Sequence, residues 1–285
     1  MLRDEVGGAA VNLVPGDTPK DIYANVALVT MDALLAAPAD EDGFRDLWLR
    51  HVINRSLVKR SVMTLPYGST RFSCADFIKD DYLKMGKAPE FRKEQYGKAA
   101  AWLAKFVWTS IGKVVIKATA AMSWLQKCSG IILKAGTPYI SWVTPVGFPV
   151  SQSYHQFTEH RINTLLCGGA KLRTRTESDK VDGHRHRNGI APNFIHSMDA
   201  CHLSMSVLAA QSAGIDALAM IHDDYGTHAT FAPQLARIIR EQFVAMYKDT
   251  SPLEDFAAQY ENLPPPPEKG TLVLEDVLES KYFFG

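Results

Sequence analysis

The stretch Arg55-Ser-Leu-Val-Lys59-Arg60-Ser-Val-Met63-Thr-Leu-Pro66-Tyr67-Gly68 decides how the rest of the chain is read. Arg55, Lys59, Met63 and Tyr67 recur every four residues. On an α-helix each such step drifts only about 40° around the axis, so the four share one face. That face begins with two cations and ends with an aromatic hydroxyl. Paired cations suit the phosphates of a nucleotide, and a tyrosine at the end suits a sugar or a base. Pro66 weakens a helix at that point and Gly68 lets the chain leave it, which places Tyr67 at a helix end. An ordinary helix with a solvated basic face carries the same pattern.

A second constellation is Ile221-His222-Asp223-Asp224-Tyr225-Gly226. Ala217 to His222 and Tyr225 to Thr230 read as strands, so the sequence predicts a hairpin with the acids at its turn. Adjacent acids there point in different directions, and one can bind a metal while the other faces away. Mg²⁺ takes one or two carboxylates together with phosphate oxygens and waters. Phosphoryl transfer by two such ions needs at least two carboxylates from separate segments. Asp-Asp is also an ordinary turn composition.

Further downstream of the first stretch lies Gly189-Ile-Ala-Pro-Asn193-Phe-Ile-His196-Ser-Met-Asp199-Ala-Cys-His202. His196, Asp199 and His202 fall three apart, which allows a metal site on one helical face. In the absence of other ligands the pattern reads first as a satisfied structural histidine. His184 and His186, beside Arg185 and Arg187, read as phosphate-facing or solvated.

Between these motifs, His160 to Cys167 and Ala170 to Arg175 flank Gly168-Gly169, a two-residue turn signal. Strand alternation puts Lys171, Arg173 and Arg175 on one face. A positive β-ribbon has the dimensions to enter a DNA major groove. A solvated surface hairpin is the plain alternative.

The chain has 285 residues, 46% hydrophobic and 22% charged, which reads as globular. Its net charge is zero, and that alone argues mildly against a polyanionic partner. Local basic stretches at 55–60 and 171–187 argue the other way, while 249–279 is acidic. The four cysteines form no Cys-x-x-Cys pair, which argues against a zinc ribbon. Apolar stretches are interrupted well short of the roughly 18 residues a membrane helix needs. The N-terminus carries no signal-peptide pattern, so a cytosolic setting is the default.

The periodicity predicts helices over Pro19 to Leu35 after an Asp17-Thr18-Pro19 start signal, Phe44 to Thr64, Gln95 to Leu133 as one or two, Asp199 to Gln211 and Ala232 to Tyr247. Tyr139 to Thr144 reads as a strand, and Pro264 to Pro267 as a stiff connector. The fold class expected is α+β, mainly helical.

Arg55-x3-Lys59-x7-Tyr67-Gly68, followed far downstream by His222-Asp223, resembles the shared core of the right-handed polymerases. Lys59 to Gly68 looks like the version in single-subunit RNA polymerases of phages and mitochondria. Family A DNA polymerases usually carry an aromatic where Met63 stands. Gly189 to Asp199, Ile221 to Thr227, Leu2-Arg-Asp-Glu-Val-Gly-Gly, Asp21-Ile-Tyr23, Trp142-Val-Thr-Pro-x-Gly-Phe-Pro and Tyr282-Phe-Phe-Gly285 are similar to signatures of the single-subunit RNA polymerases as well. The resemblance spans the whole chain.

This resemblance implies DNA-directed addition of ribonucleotides to RNA. It implies two Mg²⁺ ions, with Asp223 as a metal-binding catalytic carboxylate and Lys59 acting on the incoming phosphates. Arg55, Arg60, Tyr67, Gly68 and His196 would form the substrate site, the last tyrosine and histidine lying near the sugar. His222, Asp224 and Tyr23 would support it; Asp224 stands where phage relatives often have serine. The central hairpin, about 154–182, would read promoter DNA through Arg161, Asn163, Lys171, Arg173 and Arg175. Residues 1–17 are expected to be a palm remnant, 18–196 the fingers and 197–285 the returning palm. The family's other metal carboxylate lies just upstream of Leu2-Arg-Asp-Glu, so the chain is expected to be inactive alone, to expose apolar surface, and to work with an N-terminal polymerase polypeptide. The expected partners are promoter and template DNA, the RNA product and ribonucleoside triphosphates, with no membrane; the setting is the host-cell cytoplasm if the chain is phage-encoded. The alternatives are a non-catalytic truncated fragment that at most binds DNA, or a fragment of a family A DNA polymerase.

Overall fold

Asp21, not the Asp17-Thr18-Pro19 signal, starts the first long helix. Its Oδ1 accepts the Tyr23 and Ala24 amides at 2.9 and 3.3 Å, which satisfies two donors that a helix start leaves orphaned. In the computed structural model, which describes residues 1–165, 169–221 and 224–283, this helix is α2 (Ile22–Ala36), after a short α1 (Glu5–Ala10).

The single helix expected over Phe44 to Thr64 is two: α3 (Phe44–His51) and α4 (Arg55–Met63). Val52 breaks it with φ +68°, and Asn54 restarts it by accepting the Leu57 amide at 3.2 Å. The chain leaves α4 through a 3₁₀ turn, Leu65–Tyr67, and Gly68 at φ +79°. Then follow α5 (Arg71–Phe77) and a π-helical turn, Ile78–Leu83. Next come α6 (Tyr96–Val114) and α7 (Ile116–Lys134), bent by 97° at the β-branched run Val114-Val115-Ile116.

Two antiparallel hairpins follow. The short one joins β1 (Ile140–Val143) to β2 (Pro149–Gln152), and the long one joins β3 (His155–Asn163) to β4 (Lys171–Val181). The long ladder ends at Asn163↔Lys171, and the Thr164 amide bonds the Ala170 carbonyl at 3.1 Å. A two-residue turn at Gly168-Gly169 would pair residue 167 with Ala170, so the loop is longer than the sequence suggested. Gly168 itself lies outside the described residues.

The helix expected from Asp199 begins much earlier. It is α8 (Gly183–Ser212), which runs through Pro192. The third hairpin, β5 (Leu218–Ile221) with β6 (Asp224–Thr227), is followed by α9 (Ala232–Asp249), α10 (Pro252–Ala258) and α11 (Asp276–Glu279). The fold is therefore mixed and mainly helical among the described residues, and no single described helix is long and apolar enough to cross a membrane.

Burial gathers in three places. Trp48, Ile78, Leu83 and Leu103 lie at the centre of α2–α6. Trp124, Trp142, Phe194 and Phe256 pack where α7, β1, α8 and α10 meet. Ile215, Leu235, Ile238 and Val277 join α9 to the C-terminal segment. That segment is also tied to the start of the chain: Gly270 donates to the Leu2 carbonyl, and the Ser280 hydroxyl donates to that of Asn12.

Two buried histidines are structural: His186, expected to be phosphate-facing or solvated, and His202, already read from the sequence as more structural than metal-binding. His186 is fully buried, its Nε2 accepting the Tyr154 amide at 3.0 Å and its Nδ1 lying 3.1 Å from the Gln152 amide. It is neither phosphate-facing nor solvated, because it lies on the inward face of α8 against Gln152 and Tyr154. His202 joins α8 to α9 and β6. The Ile239 carbonyl can only accept, so Nε2 carries the proton (2.9 Å) and Nδ1 faces the Tyr225 hydroxyl at 3.2 Å. Burial lowers the pKa of both histidines below the ordinary 6.5.

A depressed folded pKa means that the unfolded chain takes the proton first as pH falls. Stability should be full above pH 6.5 and decline below it, and His202→Gln should flatten that decline; chemical denaturation at pH 7.5 and 5.5 measures both. Val52, a half-exposed β-branched residue at positive φ, stores strain that glycine relieves. Val52→Gly should raise the unfolding free energy by about 1 kcal/mol, read from a urea midpoint at constant slope.

Candidate functional site

The face foreseen on α4 is open to solvent. Leu57, Val58, Ser61 and Val62 turn inward, while Arg55, Lys59, Met63 and Tyr67 are exposed. Tyr23, at the start of α2, lies beside both cations: its ring centroid is 5.1 Å from the Arg55 guanidinium and 6.0 Å from Lys59 Nζ.

The three cations of α4 differ in what holds them. Arg55 is paired to Asp21 through its Nε. Burial opposes ionisation of Asp21, but the Arg55 bond and the Ala24 and Tyr23 amides outweigh it and keep that carboxyl below its ordinary value. Arg60 points elsewhere, to Asp81, with its guanidinium 4.2 Å over the Phe77 ring. Lys59 has no carboxylate within ion-pair distance among the described residues. The sequence reading did not identify Asp21 or Asp81 as partners; Asp21 could have been found as the acid one residue before the apolar run of α2.

Tyr67 meets His196 of α8, ring centroids 5.0 Å apart and planes tilted by 44°. Two features let the 3₁₀ turn approach α8. Pro192 has no N–H for the Asn188 carbonyl one turn back. That carbonyl lies 3.3 Å from where a Cβ on Gly68 would stand, so the close approach and the positive φ both favour glycine there. The structure thus gathers Arg55 and Lys59 beside Tyr23 at the start of α4, sets Tyr67 and Gly68 against α8 beyond its end, and turns Arg60 toward Asp81.

In the third hairpin Ile221 pairs with Asp224. Asp224 is exposed and opens β6, so it belongs to a strand and not to the turn. His222 and Asp223 lie outside the described residues. Among the described residues no three His, Cys, Asp or Glu side chains gather closely enough to hold a metal. Asp224, exposed at the start of β6, is the carboxylate of this motif that the structure describes.

The long hairpin is exposed along nearly its full length. Its register sets Asn163 opposite Lys171, Arg161 opposite Arg173 and Glu159 opposite Arg175. Cross-strand partners share a face, so four cations gather there with Glu159, which lies 3.5 Å from Arg173. The other face carries His160 with Thr174 and Ile162 with Leu172.

Comparison with known proteins identifies the family. The family model for DNA-dependent RNA polymerase matches residues 1–263. The chain is 36% identical to T7 RNA polymerase of Escherichia phage T7, over all of this chain and 38% of that protein. It is 34% identical to the DNA-directed RNA polymerase of Enterobacteria phage T3, with the same coverage. It is 39% identical to DNA-directed RNA polymerase 2A of Nicotiana tabacum, over 99% of this chain and 86% of the relative. The chain therefore spans little more than a third of the phage enzymes' length, in a C-terminal part of them, and it belongs to the DNA-dependent RNA polymerase family of single-subunit, phage- and organelle-type enzymes.

Proposed function

We propose that this chain is the nucleotide-handling part of a DNA-directed RNA polymerase, adding ribonucleotides to RNA on a DNA template together with the remainder of the family's chain. The observation that carries the reading is the solvent-open face of α4, where Lys59 stands without a carboxylate partner among the described residues and Tyr67 meets His196. An uncompensated ammonium beside a stacked Arg55–Tyr23 pair suits a triphosphate, which a pre-paired cation binds less well. Lys59 meets the phosphates, while Arg55 shares its charge between Asp21 and the ligand. Arg60 supports α4 from its far side.

Tyr67 and His196, with Gly68 beneath them, flank the sugar. A 2′-hydroxyl is selected when polar partners there would be left unpaired without it. Asp223, with Asp224 and His222 beside it, is the residue that would hold Mg²⁺, which when bound supplies charge neutralisation at the phosphates. Most of the rate then comes from positioning by the chain's own side chains. Residues 1–17 and 197–285 act as palm and 18–196 as fingers, and the setting is the host-cell cytoplasm if the chain is phage-encoded. The cationic face of the long hairpin contacts promoter DNA, with Arg161, Asn163, Lys171, Arg173 and Arg175 on base edges or phosphates.

Template-dependent ribonucleotide incorporation tests the catalytic part, with the chain alone and mixed with an upstream fragment of a family polymerase. Incorporation is expected in the mixture and lost in Asp223→Asn. Lys59→Ala should lower kcat by about 100-fold, and Tyr67→Phe should cut the preference for ribo- over deoxyribonucleotides by about tenfold. A folded mixture that incorporates nothing defeats the reading and leaves an inert, at most DNA-binding fragment.

Duplex binding tests the hairpin separately. Lys171→Ala and Arg173→Ala should each weaken binding and reduce the slope of log affinity against log salt by about 1. An unchanged slope would remove the hairpin from the interface.

A further inference from the structure

Asn54 restarts the chain as α4, and the direction of its side chain is fixed. Its Oδ1 accepts the Leu57 amide, so the Nδ2 end faces the other way and donates to the Tyr82 oxygen at 2.6 Å. That leaves the Tyr82 proton for His51 Nε2, 2.9 Å distant. With Nε2 accepting, the His51 proton sits on Nδ1 and is donated to Glu90 at 3.1 Å. One directional chain thus runs from Asn54 through Tyr82 and His51 to Glu90. Tyr82 is almost fully buried, in the core formed by α2 to α6.

Tyr82 belongs to the π-helical turn Ile78–Leu83, closed by the Lys84 amide on the Lys79 carbonyl at 2.9 Å. The residue before it, Asp81, takes Arg60. Two consecutive side chains of this turn therefore grip α4 at both ends, Tyr82 at the cap and Asp81 one turn before the exit. Turns of this kind recur at functional sites because the extra residue re-aims side chains locally. Between the helices that the network joins lies Val52 at φ +68°, a strained conformation that persists only where its surroundings over-determine it.

We propose that the π-helical turn is a positioning clamp for α4, with the Tyr82 hydroxyl as its central bond, holding the Arg55–Lys59 face at one fixed angle. Tyr82, Asn54 and His51 are positioning residues; the further step, that this face meets a triphosphate, rests on the function proposed above. Tyr82→Phe keeps the buried ring and removes only the oxygen that Asn54 and His51 share. Asn54→Ser keeps an α4 cap and removes only the donor to Tyr82.

Two measurements on the intact chain separate the clamp from the nucleotide reading: amide hydrogen exchange over residues 55–60 and titration with Mg-ATP. Both variants should speed exchange there by about tenfold with little change in overall melting, and weaken Mg-ATP by about fivefold. Unchanged exchange in Tyr82→Phe, or Asn54→Ser behaving as wild type, overturns the clamp. Faster exchange with Mg-ATP affinity unmoved overturns the positioning of the ligand face. Faster exchange in a chain whose wild type binds no Mg-ATP supports the clamp and overturns the triphosphate assignment.

Discussion

The packing of α8 is the constraint on which the candidate site depends. Its 30 residues span about 45 Å, and its buried face changes partner along the way. Near the start His186 bonds Tyr154, and Gln152 lies between His186 and Asn193. In the middle Phe194 packs against Trp142 and Phe256, while the Trp142 indole donates to the Ser197 hydroxyl at 2.9 Å. Near the end His202 ties α9 and β6. A side chain on the exposed face therefore has little freedom to rotate with the helix. His196 stands on that face between two fixed points, which is why it can serve as a wall for Tyr67.

The electrostatics of α4 are arranged for placement more than for stability. The Arg55–Asp21 and Arg60–Asp81 pairs are both substantially exposed, and exposed pairs contribute about 0–1 kcal/mol. Their geometric effect is larger. Each draws one guanidinium toward the protein: Arg55 back over Tyr23, Arg60 onto Phe77. The ammonium of Lys59 is left pointing outward from a helix whose other two cations are already committed. Deleting the Asp81 carboxylate would cost little folding energy and would spread positive charge over a wider arc, whereas deleting that of Asp21 would also remove the α2 cap, at about 0.5–2 kcal/mol.

Local signals in the sequence carried as far as local chemistry decided the outcome. Pro66 and Gly68 ended α4 where expected because their conformational limits act on their own residues. Strand alternation gathered Lys171, Arg173 and Arg175 on one face for the same reason. The break at Val52 was not legible, because a β-branched residue predicts a continuing chain and only tertiary contacts hold it at positive φ. Asn54 did carry a cap signal, hidden inside an apolar period that runs through it. The π-helical turn leaves no period at all, and the burial of His186 follows from α8 starting sixteen residues before the predicted Asp199. Asp223, the residue the sequence weighted most, lies outside the described residues.

The long hairpin obeys a different logic from the rest of the chain. Both its faces are exposed, so it buries little apolar surface and contributes little to a core. Arg161 directly faces Arg173, and like charges in opposite positions of a ladder are destabilising. Glu159 neutralises part of that charge and leaves Arg161, Lys171 and Arg175 in excess. Ile162 and Leu172 meanwhile stand exposed on the reverse face. A ribbon selected for folding alone would place opposite charges across the strands and polar residues outward. One that repels itself on one face is stabilised when an anion spans the cations, and a polyanion with charges spaced along a groove does so without requiring any change in the ladder.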